Sequence, residues 1–225
     1  MRTIGVLLFP QFELLDVCGP VEVLGHRLLA DRQRVVMIAR EPGPVASVQG
    51  TRLVAEHGFA DRPPLDVLLV PGGQGTRREV DDAALIDWIA ATAATTPLVT
   101  SVCTGAALLA RAGVLDGRRA TSNKRAFDWV VSQGPRVEWV RKARWVEDGK
   151  VWTSSGVSAG TDMAFHLVSR LAGRAVAENA AKAAEYDWHR DPGEPIHYPQ
   201  QAKVPPTPGL SIRAALNRCV RAGTG

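Results

Sequence analysis

Short, uninterrupted apolar runs alternate along this chain with longer stretches of helical spacing. Thr3–Phe9, Arg34–Ala39, Leu65–Val70 and Leu98–Val102 are continuous apolar runs, several of them β-branched, which predicts strands buried on both faces. Between them, Phe12–Leu29 and Asp82–Thr95 carry apolar residues at helical intervals, with Leu85, Trp88 and Ile89 on one face of the second. Gly19-Pro20 is expected to break or kink the first. Thr104–Ala112 continues the fourth strand as an Ala- and Leu-rich helix that stops at Gly113, a residue type suited to closing a helix. One hairpin is expected in Ser47–Val54, around the Gln49-Gly50 step. Another is expected at Asp148-Gly149, with Arg136–Arg144 and Trp145–Ser154 as the strand-like stretches about it. Ala159–Leu171 and Arg174–Tyr186 predict two more helices, parted by Gly173. Strands alternating with helices imply an α/β fold, a mostly parallel sheet with helices on both faces and the hairpins at an edge. Residues 1–190 read as one domain. The remainder, 191–225, reads as a Pro-rich extended arm (Asp191–Pro208) followed by a short terminal helix (Leu210–Val220).

Composition narrows the function classes. With 225 residues and 45% hydrophobic content the chain can bury a core of ordinary size. The net charge of +4 is modest and the arginines are scattered, so nucleic acid is not expected as a partner. No apolar window approaches the roughly 20 residues that span a bilayer, and the opening run is too short for a signal peptide. A soluble, cytoplasmic protein with no membrane contact is expected. The three cysteines, Cys18, Cys103 and Cys219, are widely spaced and form no Cys-x-x-Cys pattern. That argues against a disulfide framework and a zinc site, and no metal or cofactor is expected.

The chemistry concentrates where the fourth strand meets its helix, at Val102-Cys103-Thr104-Gly105. A cysteine on such a turn has the logic of a nucleophile elbow, which needs small flanking residues; Ser101 and Gly105 supply them. Unsatisfied N–H groups at the helix start should lower the thiol pKa and could stabilise an anion. A small buried cysteine at a strand–helix junction would look the same locally. The Leu65–Val70 strand delivers Pro71-Gly72-Gly73-Gln74-Gly75 to the same carboxyl edge, where glycines let backbone N–H groups approach a ligand. Asp16, after the first strand and among apolar neighbours, suits acid–base work if desolvated, or caps a helix if not. Trp139, Trp145 and Trp152 follow hairpin alternation and read as packing.

Four segments together, FPQFELLDVCGPVEVL, LDVLLVPGGQG, VTSVCTGAALLARAGVLDGRRAT and SSGVSAGTDMAF, resemble the ThiJ/PfpI superfamily over about Thr3–Pro192, and within it the isonitrile hydratase branch. The resemblance implies a flavodoxin-like three-layer sandwich. It also implies Cys103 as nucleophile, Asp16 as its carboxylate partner and proton shuttle, and Thr104 as the residue supplying a backbone N–H and hydroxyl beside it. Gly72 and Gly73 match the oxyanion loop, Gly156 and Val157 the loop that closes over the thiolate, and Asp162 a helix anchor. A small-molecule substrate and a homodimer follow from the same likeness. Two departures matter. Thr104 stands where the peptidase branch has His, and none of His26, His57, His166, His189 and His197 lies in a motif, which disfavours proteolysis. Thr121-Ser122-Asn123-Lys124 replaces the Thr-Thr-His-Trp common in the hydratase branch, at a loop expected to shape the pocket. The expected reaction is hydration of an isonitrile to an N-substituted formamide through a Cys103 thiolate. A glyoxalase or deglycase acting on reactive carbonyls, and a redox sensor using Cys103, are the alternatives.

Overall fold

A computed structural model describes residues 1–194. The expected terminal helix with Cys219, and all but the first residues of the arm, including His197, lie outside the described residues. In chain order the first half holds β1 (Arg2–Leu7), α1 (Leu14–Leu24), β2 (Gln33–Ala39), β3 (Gly43–Ala46), β4 (Arg52–Ala55), β5 (His57–Gly58), β6 (Val67–Val70), α2 (Thr76–Glu79), α3 (Ala83–Thr95) and β7 (Leu98–Ser101). The second half holds α4 (Gly105–Arg111), β8 (Arg119–Ala120), α5 (Phe127–Gln133), β9 (Glu138–Trp139), β10 (Trp145–Asp148), β11 (Val151–Ser154), α6 (Val157–Ala172) and α7 (Arg174–Ala183).

The apolar runs form a seven-stranded sheet in the order β10-β11-β7-β6-β1-β2-β5, parallel throughout except for β10. The strands of its centre are almost wholly buried, as continuous apolar runs require. Connections from β1 lead one way along the sheet and those from β6 lead the other. Right-handed crossovers therefore put α1 and α3 on opposite faces. On one face α1 packs on α6 and α6 on α7; on the other, α3 packs on α4 and α4 on α5. This is the flavodoxin-like α/β fold. The β1/β6 boundary is its switch point, and the carboxyl ends of β1, β6 and β7 open there.

Several local expectations change. The Gly19-Pro20 step does not break α1, which runs through Pro20. Pro20 lies inside the helix, seventh of its 11 residues, and removes the N–H that would meet the Asp16 carbonyl. Gly19 is there for packing, because a Cβ would collide with Thr161 Oγ1 on α6. The helix is also shorter than expected, ending at Leu24 before a 3₁₀ turn over Arg27–Leu29. Arg136–Arg144 contributes only β9, which pairs parallel with β8 in a small separate sheet. The hairpin at Gly149 is β10–β11 alone, at the edge of the main sheet. The other hairpin, β3–β4, forms its own two-stranded sheet. The last helix stops at Ala183, just before Glu185 enters the left-handed region at φ 48°. The short helices α2 and α5 are additions that the apolar spacing does not predict.

Candidate active site

Register sets the site. Val70 on β6 pairs with Ser101 on β7, so both strands end level. Gly72 and Cys103 then leave two residues beyond that pair. Cys103 turns the chain into α4 with φ at 58°, a conformation that costs a non-glycine residue on the order of 1 kcal/mol or more. Its surroundings hold it there. The Cys103 N–H donates to the Ser155 carbonyl at 2.8 Å, and the Ser122 hydroxyl donates to the Cys103 carbonyl at 2.7 Å. Gly105 packs its α-carbon against the Val70 and Pro71 carbonyls. The elbow expected from the sequence is thus present, with the residue almost entirely buried.

Asp16, in the first turn of α1, is fully buried. Its Oδ2 accepts the Gly72 N–H at 2.9 Å across the switch point. Its Oδ1 has no conventional partner among the described residues, and the Cys103 thiol lies close enough to act on the carboxyl. Burial pushes the Asp16 pKa up to about 7; the Gly72 N–H offsets this in part, and the neighbouring Glu13 charge adds to it. The thiol does not behave as the helix-terminus argument predicts. Burial, and then the Asp16 charge, push Cys103 well above the ordinary thiol range. The Thr104 backbone and hydroxyl and the Asn123 amide oppose that rise. Desolvation outweighs the helix start because α4 is only seven residues long and Cys103 is covered. The pair therefore holds a neutral thiol beside a carboxyl poised near neutrality.

The glycine loop fits tightly against this pair. A Cβ on Gly72 would lie 2.5 Å from Thr104 N, 2.6 Å from Thr104 Oγ1 and 2.9 Å from Asp16 Oδ2. The Gly73 N–H donates to Thr104 Oγ1 at 3.0 Å, and the Thr76 hydroxyl also reaches Thr104 Oγ1, at 3.1 Å. Both loop N–H groups are thus already engaged, one on the carboxyl and one on Thr104. Gly156 and Val157 open α6 directly after Ser155, whose carbonyl holds Cys103.

Asp162 anchors, as expected. It is fully buried, with Arg144 at 2.7 Å and the His189 N–H on Oδ1 at 3.1 Å. The tract after α7 therefore packs back onto α6, where Tyr186 and Trp188 lie against Phe165. Cys18 is exposed on α1. Trp145 and Trp152 are buried about His166.

Asn123 is the residue whose contact the sequence did not reveal. Its Oδ1 accepts from Arg125 N and Ala126 N at 2.9 and 3.1 Å, which leaves its NH₂ facing Cys103 and Gly156. The Ser122–Lys124 departure marked this loop as pocket-shaping; only the fold shows that its amide reaches the thiol. Arg77 and Trp129 complete the surroundings, with the guanidinium 3.4 Å from the indole centroid. Among the described residues no cluster of three or more His, Cys, Asp or Glu side chains could hold a metal ion, and no helix is long and apolar enough to cross a membrane.

A parallel switch-point sheet carrying a cysteine on a strained strand–helix turn, with a buried carboxyl beside it, defines a cysteine-elbow protein of flavodoxin-like fold. The DJ-1/PfpI family model matches residues 2–170, and the chain belongs to that family. It is 36% identical to the isonitrile hydratase of Pseudomonas putida over 219 residues, covering 95% of this chain and 93% of that one. It is 30% identical to the HTH-type transcriptional regulator CdhR of Pseudomonas aeruginosa, over 74% of this chain but only 50% of the regulator. Among solved structures, a THiJ/PfpI family protein from Pseudomonas syringae superposes with a TM-score of 0.75 at 29% identity, covering 98% of this chain and 86% of that one.

Proposed function

We propose that the protein is a small-molecule hydratase that converts isonitriles to N-substituted formamides through Cys103. The observation that carries this reading is the buried Asp16 carboxyl, unpartnered on Oδ1 and set against a thiol on a strained turn. The likeness to an isonitrile hydratase along nearly the whole chain supports the substrate. The terminal carbon of an isonitrile takes both a nucleophile and a proton, which is what a thiol and a neighbouring base can deliver. Asp16, as carboxylate, accepts the thiol proton while sulfur bonds to that carbon, then passes the proton to the same carbon. The product is a thioimidate, R–N=CH–S–Cys103. Water adds next: Asp16 takes its proton, the hydroxyl bonds to carbon, and the nitrogen is protonated. The C–S bond then breaks, the remaining hydroxyl proton returns to sulfur, and R–NH–CHO leaves.

In this scheme Thr104 and Asn123 offer donors to the developing thiolate. Gly72 holds the carboxyl, Gly73 holds the Thr104 hydroxyl, and the Gly156-Val157 start of α6 covers the thiol. The enzyme acts as a homodimer in the cytoplasm and needs no cofactor. The test is a panel of isonitriles and 2-oxoaldehydes against wild type and Cys103→Ala. Formamide should form only with isonitriles, and the variant should lose at least ~10³-fold in rate. Turnover by Cys103→Ala at the wild-type rate would end the proposal, and preferential turnover of oxoaldehydes would move the enzyme to carbonyl chemistry.

A further inference from the structure

Above the thiol, two loops approach each other from opposite sides. One is the Gly72–Gly75 loop that runs into α2; the other leads from Asn123 into α5. Thr76 ties the first to Thr104, next to the nucleophile, and Asn123 ties the second to the thiol itself. The residues that follow, Arg77 and Trp129, close the gap between the loops, because the guanidinium lies on the indole face 3.4 Å from its centroid.

Of the other charged side chains of this region, the exposed Arg125 has no side-chain partner among the described residues and stacks on no ring, and the rest are engaged. Arg78 pairs with Glu79, Arg111 with Asp81 and the Val80 carbonyl, and Lys124 with Thr121 Oγ1 and the Ala143 carbonyl. The Arg77 guanidinium has no hydrogen-bond or carboxylate partner among the described residues, and it stacks on Trp129. Stacking fixes the plane of a guanidinium and leaves its edge, with its N–H donors, available. That edge is the complement of a carboxylate, which it can take with two parallel hydrogen bonds. Thr76, the residue before Arg77, is hydrogen-bonded at 3.1 Å to Thr104, the residue after Cys103, which places the Arg77 loop beside the thiol. Asp16 and Glu13 give that site negative charge, and an anionic molecule could enter it only against an opposing cation.

We infer that the substrate carries a carboxylate, and that Arg77, held flat on Trp129, binds it while the reactive carbon meets Cys103. This rests on Cys103 being the nucleophile and deepens the proposed function by naming the substrate class. Arg77 is then a specificity residue.

The test compares matched charged and neutral probes. Isocyanoacetate and its methyl ester are assayed with wild type and Arg77→Gln, and the ratio of their kcat/KM values is read. Wild type should favour the carboxylate by roughly tenfold or more, and Arg77→Gln should bring the ratio toward one, with Arg77→Lys between them. A second readout needs no turnover: alkylation of Cys103 by iodoacetate and by iodoacetamide, followed by intact mass at one pH. The iodoacetate-to-iodoacetamide rate ratio should fall several-fold in Arg77→Gln. An unchanged alkylation ratio overturns the assignment of Arg77, whatever the isonitrile result. If neither isonitrile is hydrated while the alkylation ratio still falls, the hydratase reading fails and the carboxylate site stands. A Cys103 that neither reagent alkylates in wild type overturns both.

Discussion

Two aspartates, Asp16 on α1 and Asp162 on α6, sit on helices that pack against each other, and neither side chain reaches solvent. Asp162 is enclosed by partners, with the Arg144 guanidinium on one oxygen and the His189 N–H on the other. Asp16 has one backbone N–H, an oxygen with no partner among the described residues, and a thiol close to the carboxyl. Burial raises the pKa of both, but at Asp162 the cation and the N–H pull against it. At Asp16 only the Gly72 N–H and the Cys103 thiol oppose burial and the Glu13 charge, and the carboxyl rests at about 7. Equal burial therefore yields an anchor in one place and, in the proposed mechanism, a proton carrier in the other. The difference lies in whether the second oxygen is satisfied.

Exchanging the roles gives the largest expected effects. Asp16→Asn keeps an acceptor for Gly72 but cannot carry a proton, so kcat/KM should fall by roughly 10²–10⁴-fold. In wild type the rate should fall as pH drops through about 7, where the carboxylate is protonated. The residual activity of Asp16→Asn should lack that inflection, and a retained one would assign it elsewhere. The stability slope has the opposite sense. The folded pKa of about 7 lies above the ordinary 3.8, so the native state keeps a proton that the unfolded chain loses. Stability due to this group is lost as pH rises from about 4 to 7, by up to about 4 kcal/mol, and Asp16→Asn should flatten that slope in urea titrations.

Asp162→Ala should instead cost about 3–5 kcal/mol by stranding the buried Arg144 charge. Chemical denaturation would show it, and adding Arg144→Met should recover part of the loss. Gly72→Ala forces a methyl against Thr104 and the Asp16 carboxyl. It should cost about 1–3 kcal/mol and lower turnover together. Cys18→Ser, on the exposed face of the helix that carries Asp16, should change stability by less than about 0.5 kcal/mol and leave the pH profile as it is.

Much of this is legible in the sequence, for identifiable reasons. Strands buried on both faces must be continuously apolar, so β1, β2, β6 and β7 announce themselves, and with them the parallel sheet. The Cys103 elbow is readable because its turn admits few residue types. Contacts set by tertiary approach are not readable. Gly19 looks like a helix breaker until Thr161 is seen against it, and Asn123 looks like a loop residue until the elbow is placed beneath it. The thiol pKa escapes a sequence reading for the same reason, since local sequence displays a helix start but not the burial and the carboxylate that outweigh it.

The tract after α7 ties the end of the described chain to Cys103 through Arg144. The Arg144 N–H donates to the Pro192 carbonyl at 2.7 Å, its own carbonyl accepts from Ser155 at 2.8 Å, and the Ser155 carbonyl in turn holds the Cys103 N–H at 2.8 Å. Three hydrogen bonds thus form a tether from the exit strap to the strained turn. A truncation before Pro192 would remove the first of these bonds, and traction on the strap would reach the backbone that keeps the thiol aimed. Where a tag is attached or the chain is cut at this end is therefore a mechanical choice about the Cys103 turn.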